Sequence, residues 1–288
     1  MTKPSRWVTF LYLLPALSLI FIFCYAPMVL TFFSSLYPTR NPAKLAASAI
    51  NYEALLHSPQ FHLVLLNSLW YVVITVPVSM VLALLMAALV DAQLPGRMWV
   101  RAAFFCPTIL PMIAVANIWL FFYTPDAGLF DRVLSVLGVG ATNWLGEPKT
   151  ALWAVMAVTI WKEAGFFMIF YLAAFQNVPP ELHEAAKIDG AGRWMSFVRI
   201  TLPLVGPTSL FVFVIAVINA FRIVDHIVIL THGGPNNATS LLLYYLYEIG
   251  FVFWDTGLAA AITVVLLALL LSIAVVQIRT LDPRIHYR

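Results

Sequence analysis

The sequence is poor in charged residues. Only 10% of its 288 residues are Asp, Glu, Lys or Arg, whereas soluble globular domains carry about 25%. Hydrophobic residues make up 62% of the chain, and the mean hydropathy is +0.92. This composition excludes a soluble enzyme, and a formal net charge of +3 provides no basic surface for nucleic acid. The fold class predicted is all-α, a polytopic membrane protein with little chain left for a soluble domain.

Cysteine is nearly absent as well. The two that occur, Cys24 and Cys106, both fall inside apolar runs. A disulfide framework is therefore excluded, and we expect both side chains to be buried free thiols.

Motifs for catalysis are also missing. The sequence contains neither HExxH nor GxSxG, and its six histidines show no ligand spacing. There is no GxxxxGK[ST] phosphate loop; the run GEPKT at residues 146–150 is only a fragment of one. The chain is therefore predicted to be a non-enzyme that binds no cofactor and no metal.

Six apolar segments are long enough to cross a membrane. The first follows a short basic N-terminus and is too long for a signal peptide. The predicted spans are Val8–Phe33, Asn67–Val90, Ala102–Tyr123, Ala151–Val178, Thr208–Leu230 and Leu258–Gln277.

The charge distribution orients these spans. With the N-terminus in the cytoplasm, ten Lys and Arg residues fall on that side and four on the other, and two lie within spans. Cytoplasmic loops carry the positive excess, so both termini are predicted to be cytoplasmic. We predict an N-terminal part at 1–66, a core of five helices at 67–279 and a cytoplasmic tail at 280–288.

Four charged residues lie inside predicted spans, where each costs about 2.5–3.5 kcal/mol to insert. Lys162 and Glu163 are adjacent in the fourth span; Arg222 and Asp225 in the fifth are three apart and can share a face. Asn219 lies one turn before Arg222. These five residues are candidates for lining a water-filled path for a polar solute. Two alternatives stay open: structural pairing between spans, and long side chains reaching the external interface.

The longest predicted cytoplasmic loop, 179–207, contains residues that are typical of the starts and ends of two short helices. Pro180 suits a helix start and Gly190 a left-handed end, which predicts a helix over Pro180–Asp189. A second helix is predicted from Arg193 to Ile200, ending before Pro203. So short a pair is unstable alone in water, so it either docks on another surface or is a solvated linker.

The spacing in this loop resembles a known signature. Glu184-Ala185-Ala186, three residues, Gly190, nine residues, Ile200, one residue and then Leu202-Pro203 resembles the EAA motif of binding-protein-dependent ABC importer permeases. Flanking residues, including Trp161-Lys162 and the T-x-G-G-P run at 231–235, look like the carbohydrate-uptake branch, with its maltose-type and glycerol-3-phosphate-type permeases. The departures are small: Pro180 stands at a variable position, and His183 stands where Tyr is common.

The resemblance implies the type I importer permease fold and a role for the loop. The loop would be a coupling helix seated in a separate ATP-binding subunit, so ATP and magnesium would be bound by that partner. The other implied partners are a second, usually different, permease subunit and an extracytoplasmic substrate-binding protein, in the bacterial plasma (inner) membrane. The residues implied in coupling are Glu184, Ala185, Ala186, Asp189, Gly190 and Arg193.

A polar loop follows the fifth span. Gly233, Gly234 and Pro235 form a turn signal, and the segment 241–253 is rich in tyrosine. By resemblance the loop faces the binding protein and the external mouth of the path. A plain turn followed by an interfacial helix is the alternative.

The leading function is thus the permease subunit of an ATP-driven carbohydrate importer. The same architecture importing glycerol-3-phosphate or a sugar-phosphate is an alternative, because Arg222 and Lys162 suit an anion. An ion-coupled secondary transporter is an alternative of another class, although it often contains internal repeats and we see none.

Overall fold

The computed structural model describes residues 6–39, 48–92, 96–136, 138 and 142–281, and across these ranges it contains helices and no strand. The helices follow one another along the chain. Three single π-helical turns occur among them, at Phe21–Tyr25, Phe197–Thr201 and Glu248–Val252. The α-helices are α1 (Arg6–Ile20), α2 (Ala26–Ser34), α3 (Ile50–Leu56), α4 (Pro59–Asp91), α5 (Arg97–Ile109), α6 (Met112–Phe122), α7 (Leu129–Val136), α8 (Pro148–Gln176), α9 (Pro180–Ile188), α10 (Arg193–Ser196), α11 (Leu202–Leu204), α12 (Gly206–Phe221), α13 (Asp225–Leu230), α14 (Leu242–Tyr247) and α15 (Thr256–Leu281).

The predicted all-α membrane fold is confirmed. Four helical stretches are long and apolar enough to cross a membrane: Phe10–Ser34, Pro59–Asp91, Pro148–Gln176 and Thr256–Thr280. Two bent pairs, Arg97–Ile109 with Met112–Phe122 and Arg193–Leu204 with Gly206–Phe221, raise the number to six if each pair is one span. The count of six and the side of the termini stay predictions.

The third predicted span, Ala102–Tyr123, falls on two sharply bent helices rather than on one continuous helix. Helices α5 and α6 meet at an angle of 103°. Leu110 and Pro111 are extended there, with ψ of 137° and 143°. Proline cannot donate a backbone hydrogen bond and forces the residue before it out of the helical region.

The fifth predicted span, Thr208–Leu230, is also interrupted. Helix α12 ends at Phe221 and α13 begins at Asp225, which leaves residues 222–224 outside both helices. Arg222 is at φ −92°, ψ 13° and Val224 at φ −136°, ψ −45°. Neither proline nor glycine lies in this break.

The chain forms two compact units, Met1–Phe61 with Leu246–Leu269, and His62–Tyr245 with Leu270–Arg288. In the first unit Asn51 donates hydrogen bonds to the carbonyls of Ser35 (2.8 Å) and Tyr37 (3.1 Å). Gly257 packs against the Tyr37 carbonyl, where a Cβ would be 2.3 Å from its oxygen. The division predicted at residues 66 and 67 stays a prediction, and most of the predicted tail, from residue 282, is outside the described residues.

Both cysteines are free, but the expectation that they are buried was wrong. Cys24 and Cys106 are exposed on their helices. An apolar run in a membrane protein has a lipid-facing side as well as a packed side, so apolar surroundings in sequence do not imply burial within the chain.

Asp131, at the start of α7, organises the segment between α6 and α8. Its carboxylate accepts hydrogen bonds from the backbone N–H of Asp126 (2.9 Å), the backbone N–H of Thr142 (3.4 Å) and the indole N–H of Trp144 (3.3 Å). These bonds, with that of Asp126 the strongest, hold the pKa of the carboxyl below its usual range.

We therefore expect Asp131→Asn to lower the thermal unfolding midpoint at pH 7, because one amide oxygen cannot serve donors that reach both carboxylate oxygens. The stabilisation requires the ionised form. It is present above the unfolded-state pKa of about 3.9 and is lost as pH falls through the lowered native pKa. The variant should lose this part of the acid dependence.

Asp126→Asn is the control: Asp126 is exposed with φ of 63°, which asparagine tolerates. Equal midpoints for the two variants would contradict the expectation.

Candidate functional site

Helix α8 is the central helix of the second unit. Fourteen of its 29 residues are buried, although membrane helices commonly face lipid on one side. Gly165 allows α5 to approach closely, since a Cβ there would be 2.3 Å from the carbonyl oxygen of Phe104. The contacts of α8 with its neighbours therefore determine the position of whatever side chains it carries inward.

The structure brings four of the five predicted path residues to one cavity. Lys162 and Glu163 from α8 face Arg222 and Asp225 from the break between α12 and α13, around a space of about 120 Å³. By volume this space holds several water molecules. The other residues of its wall are Met112, Thr159, Ile223, Val224 and His226. The fifth predicted residue, Asn219, lies beside it and reaches the same Glu163.

Lys162 also donates hydrogen bonds to backbone carbonyls at the end of α5. Its ammonium donates to the carbonyl of Pro107 at 3.3 Å, and to that of Leu110. Because Pro111 has no N–H to give, the Pro107 carbonyl lacks its helical partner. A cation at the C-terminus of α5 also opposes the negative end of the helix dipole. Lys162 thus connects α8 to the end of α5, in addition to its place in the cavity wall.

Glu163 connects α8 to α12. The amide of Asn219 donates to Glu163 Oε2 at 3.2 Å. Both side chains are half-buried, whereas Arg222 and Asp225 are exposed. Within the described ranges no ion pair joins any two of the four charged residues. Two positive and two negative groups therefore surround the cavity without neutralising one another by contact.

Interrupted helices explain why these charges are tolerated. Backbone that leaves the helix at membrane depth is stable only where protein covers it or where it lines a water-filled cavity. Both interruptions, at Leu110–Pro111 and at residues 222–224, lie near the cavity, because Lys162 reaches the first and the second forms part of the wall. Broken helices of this kind are where membrane transporters bind polar solutes.

The predicted helix pair at 179–207 is present. Helix α9, Pro180–Ile188, confirms the helix predicted over Pro180–Asp189, and Gly190 has the predicted left-handed conformation with φ of 80°. The second helix was predicted to end before Pro203, which was wrong. A π-helical turn, Phe197–Thr201, is followed directly by α11, which contains Pro203, so the helical backbone continues past this residue.

The residues of the EAA pattern mostly face outward. Ala186 packs inward at 9% exposure. His183 binds Ser196 at 2.8 Å and so joins α9 to α10. Beside them the large apolar side chains of Ile188 and Trp194 are 87% and 75% exposed. Among the residues implied in coupling, the exposed ones are Glu184, Ala185, Asp189, Gly190 and Arg193.

The loop after α13 is tightly ordered. Thr239 donates to the Gly234 carbonyl at 2.7 Å and contacts the Thr231 hydroxyl at 2.7 Å. Asn67 of α4 donates to the Asn237 carbonyl at 3.0 Å. Gly233, at φ 76°, packs on the ring of Tyr244. The turn predicted at Gly233, Gly234 and Pro235 is confirmed, and the loop is fastened to α4.

Gly233→Ala should loosen this loop. A Cβ would be 2.6 Å from Tyr244 Cε1, and the backbone is in the left-handed region. We expect a loss of roughly 1 kcal/mol or more of stability, seen as faster proteolysis of the loop in the purified full-length chain. Gly192→Ala is the control, because its φ is −68° and nothing lies within 4 Å of the added methyl. Equal proteolysis rates in the two variants would contradict this account of the loop.

Sequence reasoning missed Thr159 and Met112, which both line the cavity. Thr159 contacts His226, another residue of the wall, at 3.1 Å. Thr159 precedes Glu163 by one helical turn, and that i,i+4 spacing is the signal that could have placed it on the same face.

Taken together, the interrupted helices, the charged cavity and the exposed helix pair define an all-α membrane permease subunit. Residues 65–287 match the family described as binding-protein-dependent transport system inner membrane component. The trehalose/maltose transport system permease protein MalF of Thermococcus litoralis is 34% identical, with 94% of this chain and 92% of that protein covered. The sn-glycerol-3-phosphate transport system permease protein UgpA of Yersinia enterocolitica is 30% identical, over 98% and 96%.

A solved structure agrees with these relatives. A chain of a bacterial ABC transporter involved in the import of the acidic polysaccharide alginate has a TM-score of 0.86 and 25% identity, with 96% of both chains covered. The chain belongs to the family of binding-protein-dependent ABC importer permeases, and the resemblance found in its EAA motif is confirmed. Like its relatives it is a permease subunit without an ATPase site of its own.

Proposed function

We propose that the chain forms half of the translocation path of an ATP-driven carbohydrate importer in the bacterial plasma (inner) membrane. The observation that carries the proposal is the continuity of α8. The same helix bears Lys162 and Glu163 at the cavity and ends at Gln176, four residues before α9. A force applied to α9 therefore acts directly on the helix that contacts both interruptions.

The balance of charge supports a neutral solute. Lys162 and Arg222 are matched by Glu163 and Asp225 around the cavity, and Lys162 already donates to two carbonyls. A sugar hydroxyl both donates and accepts hydrogen bonds, so it can use carboxylates and cations alike. A phosphate would gain from Arg222 but would face two carboxylates. The trehalose/maltose relative agrees with a carbohydrate.

The exposed groups on α9 and α10 support an ATPase partner. Glu184, Asp189 and Arg193 offer directional polar contacts, and Ile188 and Trp194 offer apolar area that a partner would cover. We propose that an ATP-binding subunit, which holds ATP and magnesium, seats this segment. The other proposed partners are a second permease subunit, usually a different chain, and an extracytoplasmic binding protein at the loop bearing Gly233, Gly234 and Pro235.

The test is solute uptake by the complex purified from its native membrane and reconstituted in vesicles. We expect uptake of labelled maltose or trehalose that requires both ATP and the associated binding protein. Labelled glycerol-3-phosphate, the alternative favoured by the exposed Arg222, serves as the competing solute. Uptake of glycerol-3-phosphate but of neither sugar would show that the solute is the phosphate and not a carbohydrate. Uptake driven by an ion gradient without ATP would refute the proposal of an ATP-driven importer.

A further inference from the structure

A buried chain of three polar side chains crosses the second unit beside the cavity. The Tyr71 hydroxyl donates to Thr159 Oγ1, and Thr159 Oγ1 contacts His226 Nε2 at 3.1 Å. The three residues come from α4, α8 and α13, and none is more than 4% exposed. Burying three polar groups is costly unless each makes a hydrogen bond. These three side chains are therefore held by directional hydrogen bonds and not by packing alone.

Other hydroxyls on α4 behave differently. Thr75 and Ser79 each donate to the backbone carbonyl four residues earlier in their own helix, at 2.7 and 2.6 Å. Such local bonds satisfy the hydroxyl without fixing any neighbour. Tyr71 instead reaches α8, and Thr159 connects it onward to the first turn of α13.

Two of the hydrogen bonds that α8 makes with the interrupted helix lie on either side of the interruption. Asn219, three residues before Arg222, donates to Glu163, and His226, four residues after Arg222, contacts Thr159. Thr159 and Glu163 are one helical turn apart and share a face of α8. Both ends of the break are thus attached to a single face of one helix.

We propose that His226 is a positioning residue of the path, acting through Thr159 and Tyr71. Neighbouring residues in a helix point about 100° apart, so fixing His226 on α8 sets the rotation of α13 and with it the direction of Asp225. Together with the Asn219 bond it fixes where Arg222 stands. The inference rests on the proposed function only in taking the cavity as a solute path.

The test is the reactivity of a cysteine placed at the break, which needs neither solute nor ATP. Arg222→Cys is introduced after Cys24 and Cys106 are replaced by serine, and its rate of reaction with a small charged thiol reagent is measured. The full-length chain is used, purified with whatever assembles with it. Thr159→Val, which keeps the shape and removes the hydroxyl, should change this rate by about fivefold or more, as expected for loss of one buried hydrogen bond. Thr159→Ser, which retains the hydroxyl, should restore it.

The control site is Ser135→Cys, exposed at the end of α7 and remote in sequence from the break. Its rate should be the same in all backgrounds. An unchanged rate at position 222 in the Thr159→Val background would overturn the proposal. Equal changes at 222 and 135 would overturn it too, because they report general loosening. If Thr159→Val does not fold, Tyr71→Phe removes only the far hydroxyl and should shift the rate at 222 in the same direction by a smaller factor. Failure of uptake in the parent complex would instead refute the proposed function and leave this measurement standing.

Discussion

Glu184→Lys is expected to abolish most solute uptake while the protein stays in the membrane at normal amounts. Glu184 is exposed on α9 and makes no hydrogen bond or ion pair within the part of the chain that the structure describes. The substitution therefore removes no hydrogen bond or ion pair among the described residues. If Glu184 meets an ATPase subunit, reversal of its charge costs several kcal/mol at a desolvated contact, and uptake should fall by at least about tenfold.

The matched control is Glu147→Lys, which makes the same change of charge away from α9. Glu147 is exposed and lies just before the first residue of α8. It should leave uptake close to that of the parent protein. Uptake and ATP hydrolysis are measured on complexes normalised for membrane content. Normal uptake by the Glu184 variant would contradict the coupling role of the EAA segment, and equal loss in both variants would point to a general effect of charge.

Arg222→Ala is expected to lower uptake by roughly 10- to 100-fold, the loss of about 1.5–3 kcal/mol that one hydrogen bond from a charged group supplies. The guanidinium is exposed at the cavity and makes no ion pair in the described ranges. Since the side chain makes no hydrogen bond or ion pair with another described residue, its removal should leave association with the ATPase subunit intact.

Arg132→Ala, at an exposed position of α7, is the control and should transport normally. Uptake and the amount of co-purified ATPase subunit are measured for both variants. If the Arg222 variant fails to assemble, the residue is a structural tie rather than part of the path. If it assembles and transports normally, Arg222 does not contact solute.

Local chemistry made the segment around α9 predictable. Pro180 at a helix start and Gly190 at a left-handed end act within a few residues of themselves, so the sequence contains the whole cause. The apolar spans were predictable for a similar reason, because each needs only its own length of apolar residues.

The interruptions differ in how far the sequence reveals them. Pro111 is a visible signal for the bend between α5 and α6, although membrane helices can tolerate proline. The break at residues 222–224 has no such signal. On either side of it, Asn219 and His226 contact α8, which lies far from them in sequence.

The candidate site was predictable in its membership but not in its contacts. Charges inside spans are costly enough that Lys162, Glu163, Arg222 and Asp225 stand out. The hydrogen bonds from Lys162 to the carbonyls of α5 could not be predicted. These carbonyls lack helical donors only because Pro111 bends the chain. The coupling and path roles of all these residues stay predictions until the variants are measured.

The central claim is tested most directly by identifying what accompanies the chain. The tagged protein is solubilised mildly from its native membrane, and the co-purifying proteins are identified by mass spectrometry. The account predicts an ATP-binding subunit and a second permease subunit in stoichiometric amounts. Recovery of the chain alone, under conditions that keep a known ABC importer intact, would contradict it.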